Sequence, residues 1–240
     1  MHDFAFIFAG FAVGLIVGLT GVGGGSLMTP VLIFFFGVKP HLAIGTDLLF
    51  AAFTKLGGTV SMARQRLVPW RVVGLLCAGS IPAALGSLWL LHRMGPATER
   101  VQHLMTSTLG AALLLTAAAM LYKVLAFSPQ RQAIELAARR ANAANATDPR
   151  HWSLPVLLGA VIGTLVTFTS VGAGAIGVTV LLLVYPMLPL PRIIGADIAY
   201  AVPLTLVAGL GHASLGSVDW PLLAQLLAGS LPGIWLGSRL

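Results

Sequence analysis

Leu19-Thr20-Gly21-Val22-Gly23-Gly24-Gly25 opens a short apolar run, and it returns 149 residues later as Phe168-Thr169-Ser170-Val171-Gly172-Ala173-Gly174. Three further pairs follow at an offset of 150: Gly45-Thr46-Asp47 with Gly195-Ala196-Asp197, Val68-Pro69-Trp70 with Val218-Asp219-Trp220, and Ala78-Gly79-Ser80-Ile81-Pro82 with Ala228-Gly229-Ser230-Leu231-Pro232. An offset that drifts by one residue over most of each half marks a duplication. Internal repeats of this kind belong to secondary transporters.

The glycine-rich stretch is not a phosphate loop, because no Gly-Lys-Ser/Thr follows it. It is not a dinucleotide turn either, since the preceding strand, the later acid and the α/β context are missing. In an apolar chain it reads as a break between two helices. Such a break frees backbone groups, and the next half-helix directs its N–H groups and positive dipole end at the gap. Lipid tolerates non-helical backbone only where it is shielded or lines a cavity. The competing reading is close helix packing through small residues.

Composition agrees with a membrane chain: 57% of the 240 residues are hydrophobic and 9% are charged, against about 25% charged in soluble domains. Apolar runs cover 4–20, 22–37, 41–62, 70–92, 100–127, 152–169, 171–187, 192–214 and 220–238, several near the ~20 residues that a spanning helix needs. The net charge of +7 lies mostly between runs, which points to membrane topology and away from nucleic acid. The start Met1-His2-Asp3 lacks the cationic region of a signal peptide. Cys77 is the only cysteine, so one chain forms no disulfide.

We therefore expect an all-α polytopic membrane protein with two inverted-topology repeats and glycine-broken short helices. Residues 1–127 form the first repeat plus a connecting helix, 128–151 a cytoplasmic linker with a short helix at 130–141, and 152–240 the second repeat. Arg64, Arg66 and Arg71 flank a loop whose counterpart carries Asp219 and no Lys or Arg, so the two loops fall on opposite sides. Five crossings between the halves, or three if the broken pairs are hairpins, both give inversion. Reading each pair as one broken helix gives a parallel repeat. The first half continues into a fifth run and the second does not, so symmetry leads one to expect a further hydrophobic segment after Leu240.

Lys55 lies inside the 41–62 run. An intramembrane lysine marks a site by default, and snorkelling toward Arg64, roughly 13 Å along the helix, is the alternative. Its symmetry mate is Thr205. Asp47 and Asp197 are mates, each in a Gly-X-Asp turn opening a run. They read either as helix caps or first-turn acids or as coupling residues. Thr20, Ser26, Thr169 and Ser170 are hydroxyls beside the breaks. His212 is the histidine of most interest, and none of the six has metal-ligand spacing. Trp70, Trp89, Trp152 and Trp220 lie near run ends, as interfacial aromatics do. Pro82 and Pro232 fit matching kinks.

The Gly21–Ser26 break with its copy at Val171–Gly174, the Gly45-Thr46-Asp47-Leu48 turn and Val218-Asp219-Trp220 resemble the sulfite exporter TauE/SafE family over nearly the whole chain. The resemblance implies export of small sulfur-containing anions such as sulfite or organosulfonates across the inner membrane. The expected ligand set is Lys55, Gly23, Gly24, Gly25, Ser26, Thr20, Thr169, Ser170, Gly172 and Gly174, with Asp47 and Asp197 as candidates for H+ or Na+ coupling. We expect no catalytic residue, metal or cofactor. The expected partners are a small anion and the bilayer, with no nucleic acid, and a homo-oligomer is compatible with the pattern. An anion channel is the alternative. Export of a bare anion from a negative interior is favoured by ~2.3 kcal/mol per charge per 100 mV, so coupling is not obligatory.

Overall fold

The computed structural model describes residues 2–20, 27–126, 152–172, 174–185 and 188–237. The glycines and serine of 21–26, Ala173 and the linker 128–151 with its expected helix lie outside the described residues.

The described residues form nine helices and no strand. They are α1 (His2–Thr20), α2 (Met28–Phe34), α3 (Pro40–Arg64), α4 (Trp70–Met94), α5 (Glu99–Ala126), α6 (Ser153–Thr169), α7 (Ala175–Val184), α8 (Leu190–Ser214) and α9 (Trp220–Gly237). Each apolar run yields one helix. Trp70–Met94, Glu99–Ala118 and Leu190–Ser214 are long and apolar enough to cross a membrane. α3 has the same 25-residue length as α4 and α8, with its hydropathy lowered by Thr46, Asp47, Thr54 and Lys55. At about 1.5 Å per residue, the 7-residue α2 and 10-residue α7 are too short to span the ~30 Å hydrocarbon layer. Phe8, Phe35, Leu114, Leu157 and Leu231 are exposed, forming an apolar exterior suited to lipid. Trp70, Trp152 and Trp220 are exposed at helix starts.

The repeat reappears in the backbone. Lys39 and Pro189 take the same extended geometry before α3 and α8, with φ, ψ of −58°, 136° and −59°, 140°. After these helices, Arg66 and Gly216 both turn left-handed, at φ 56° and 68°. The loops close with equivalent bonds, Leu67 N–H to the Met62 carbonyl and Ser217 N–H to the His212 carbonyl.

The halves are intertwined. α1 of the first half packs on α9 of the second, and α6 of the second packs on α4 of the first. Both seams are parallel and glycine-lined. Gly10 and Gly14 lie on Leu226 and Ser230, as Gly159 and Gly163 lie on Leu76 and Ser80. A Cβ at Gly14 or at Gly163 would come within 2.5 Å of the facing serine carbonyl oxygen. From the other side, Gly79 meets Val156 and Gly229 meets Ile7. Small residues allow this backbone approach where lipid supplies no hydrophobic drive.

The equivalent helices α3 and α8 cross at the centre and run antiparallel. Thr59 reaches the Ile198 carbonyl, and Gly209 lies against Leu49. Ile44, Leu48, Leu76, Val166, Tyr200 and Leu204 form the main core around this crossing. α5 covers the second break, with Leu109 and Ala112 packed on Val171.

Pro82 and Pro232 both lie inside their helices, α4 and α9. The Gly-X-Asp segments correct a sequence expectation. They are not turns opening a run, because α3 begins at Pro40 and α8 at Leu190. A proline in the first turn starts each helix earlier, so both aspartates sit about two turns inside.

Candidate substrate and coupling site

Being interior, neither aspartate caps its own helix. Each caps the short helix next to it. Asp47 is fully buried, and its Oδ2 accepts both the backbone N–H (3.2 Å) and the hydroxyl of Thr29, in the first turn of α2. Asp197 is 2% exposed and accepts the N–H of Gly174, the residue that opens α7. A helix start leaves N–H groups without intrahelical partners and carries a positive dipole end. A carboxylate from the neighbouring long helix meets both needs in the same way in each half.

The second break is described in detail. Ser170 ends α6 in the left-handed region at φ 58°, while Gly172 and Gly174 take φ 130° and 140°. Side chains avoid those last two conformations, so glycine is required there. Thr169 turns its hydroxyl to its own chain, donating to the Leu165 carbonyl and accepting the Val171 N–H. It therefore holds the break in shape. Ser170 is buried beside the Asp47 carboxyl, outside hydrogen-bonding geometry. The break of one half thus faces the acid of the other.

Lys55 is 3% exposed. Its ammonium lies in the field of both Asp197 and Asp47, so the charge sits at the crossing of α3 and α8 and not at an interface. Thr205 binds its own helix through the Ala201 carbonyl at 2.8 Å. The pseudo-symmetric centre is therefore charged from one side only. It holds two acids, one ammonium, Ser170 and the two helix starts.

Among the expected ligand and coupling residues, the structure brings Lys55, Asp47, Asp197, Ser170 and Gly174 together, with Thr169 and Gly172 shaping the backbone beside them. Gly23, Gly24, Gly25 and Ser26 lie outside the described residues, as does the side chain of Thr20. His212 lies apart from the acids. Its Nε2 is 3.0 Å from the Thr167 carbonyl, which ties α8 to the end of α6.

Two residues of the site were missed in the sequence. Thr29 carried no local signal, because its role depends on which helix packs beside it. Tyr200 is fully buried, three residues after Asp197, and shares with it the space over Gly177 of α7. Its mate at offset 150 is Phe50, a difference of one hydroxyl that a half-to-half comparison could have flagged. The Val218-Asp219-Trp220 motif is explained as well. Asp219 accepts the Leu222 N–H at the start of α9, and its own N–H donates to the Thr46 hydroxyl on α3.

Fold and centre define a class: a polytopic helical membrane protein with a buried charged cluster at the crossing of α3 and α8. The sequence pattern of the sulfite exporter TauE/SafE family matches residues 6–240, and the chain belongs to that family. It is 37% identical over 238 residues to the probable membrane transporter protein YjnA of Bacillus subtilis, covering 98% of this chain and 88% of that protein. YdhB, a probable membrane transporter protein of the same organism, is 25% identical over 229 residues, with 95% and 86% covered. A probable membrane transporter protein of Xylella fastidiosa is 27% identical over 234 residues, with 97% and 82% covered. No solved structure matches the chain. The protein is a membrane transporter of this family.

Proposed function

We propose that the chain is a secondary transporter of the inner (plasma) membrane that exports a small anion, sulfite or an organosulfonate, by alternating access. The observation that carries this reading is Lys55, a buried ammonium at the crossing of equivalent helices, with a capped half-helix start from each half beside it. The antiparallel crossing of α3 and α8 supports two halves inverted across the membrane, and rocking one against the other would expose the centre to each side in turn.

The capping acids refine which groups hold the anion. The N–H groups of Thr29 and Gly174 already serve Asp47 and Asp197, so a ligand is held by Lys55, the Ser170 hydroxyl and the remaining donors of the breaks. Coupling to H+ or Na+ falls to Asp47 or Asp197. Replacing Lys55 by alanine should lower flux at least about tenfold, since a charge-assisted hydrogen bond is worth about 1.5–3 kcal/mol. The measurement is uptake of sulfite, sulfate, sulfonates and carboxylates into liposomes holding the purified protein, with and without a pH gradient. Wild-type flux in a folded Lys55→Ala protein would overturn the site. Flux that follows voltage alone, without accumulation against a gradient, would make the protein a channel.

A further inference from the structure

The two capping acids share a role in the fold but not their surroundings. Asp47 is held by two Thr29 donors on one oxygen, with the Ser170 hydroxyl beside it. Donors favour the charged form of a carboxylate. Asp197 has the single N–H of Gly174; the Oδ1 of each acid is buried without a hydrogen-bond partner, and what distinguishes Asp197 is the hydroxyl near that atom. The Tyr200 hydroxyl, also buried without a partner, lies on the same face of α8 one turn later. A Cβ at Gly177 would collide with Asp197 Oδ1 and lie 3.1 Å from Tyr200 Oη. Only glycine leaves both oxygens their place.

Charge counting adds a separate constraint. With Asp47, Asp197 and Lys55 all ionised, the centre carries one negative charge in excess. That excess is unfavourable in an apolar interior and repels an incoming anion. One proton removes it. The ionisable groups around Asp197 are Lys55 and Asp47 on α3 and Tyr200 on α8, with Cys77 of α4 beside Tyr200; α7, packed against Asp197, carries none along Ala175–Val184.

We infer that Asp197, with the Tyr200 hydroxyl beside it, is the proton-binding acid of this centre, and that Asp47 serves as the cap on α2. The proton enters on Asp197 Oδ1 as the anion binds at Lys55 and leaves with it, so the centre with a monovalent anion bound carries one net negative charge instead of two. This division of labour rests on the transporter reading for its consequence in flux, but the protonation itself is measurable without transport.

Infrared difference spectra of the purified protein in lipid, stepped from acid to alkaline buffer, test it. The expected result is a protonated-carboxyl C=O band that titrates in the wild type. The band should be abolished in Asp197→Asn, kept in Asp47→Asn, and shifted in frequency in Tyr200→Phe, which loses only a hydroxyl. A band that survives Asp197→Asn or disappears in Asp47→Asn overturns the assignment. A band unmoved by Tyr200→Phe does the same even if the aspartate variants fail to fold. In liposomes, Asp197→Asn should lose accumulation driven by a pH gradient. Absence of sulfite flux in the wild type would sink the substrate assignment and leave the infrared result to decide the proton site.

Discussion

The glycine seams and the charged centre carry the same internal repeat, yet the seams keep it throughout while the centre keeps it only in its capping acids, Asp47 and Asp197. At the seams, Gly10, Gly14 and Gly229 repeat the contacts of Gly159, Gly163 and Gly79 residue for residue. At the centre, the mate of Lys55 is Thr205 and the mate of Tyr200 is Phe50. Packing two helices at backbone contact leaves no freedom: a side chain at either mate meets a carbonyl. A binding centre is different, because one ammonium can serve two acids and a second would add an unmatched charge. Shared geometry therefore sits where helices touch, and divergent chemistry where they leave room.

The largest expected effect breaks the seams. Gly79→Leu and Gly229→Leu should each cost more than about 3 kcal/mol, because overpacking against backbone cannot be relieved by a side-chain shift. The yield of monodisperse protein in detergent should fall for both alike. If one mate accepts leucine and the other does not, the seams are not equivalent. A smaller effect probes the caps. Thr29→Val removes the hydroxyl donor from Asp47 while keeping the backbone N–H, and should destabilise the protein by about 1–3 kcal/mol. Thr29→Ser should restore most of that in thermal unfolding in lipid nanodiscs. The smallest sharpens the asymmetry of the centre: Thr205→Val should change stability by less than about 0.5 kcal/mol and leave flux intact, since its hydroxyl serves only its own helix. A large loss of flux there would give Thr205 a share in the site.

Much of the fold could be read directly. Among the described residues each of the nine apolar runs carries a helix, and the 150-residue offset recurs in the loops that follow α3 and α8. Lys55 stood out because a charge in an apolar run has few explanations. The aspartates were found as mates but placed in the wrong local setting. Gly-Thr-Asp and Gly-Ala-Asp look like helix openings, yet Pro40 and Pro191 lie upstream and start the helices first. Once inside a helix, an acid cannot cap it.

The sequence by itself determined the membrane class, the duplication and the identity of the buried charges, because hydropathy and repeats are properties of the chain alone. Only the tertiary structure decided what those charges do. Asp47 meets Thr29 from 18 residues away, and Asp197 meets Gly174 across the second break. Lys55 lies between the two acids because α3 and α8 cross at that level. Helix starts buried in an apolar protein need partners from whichever helix packs beside them, and no local pattern names that neighbour.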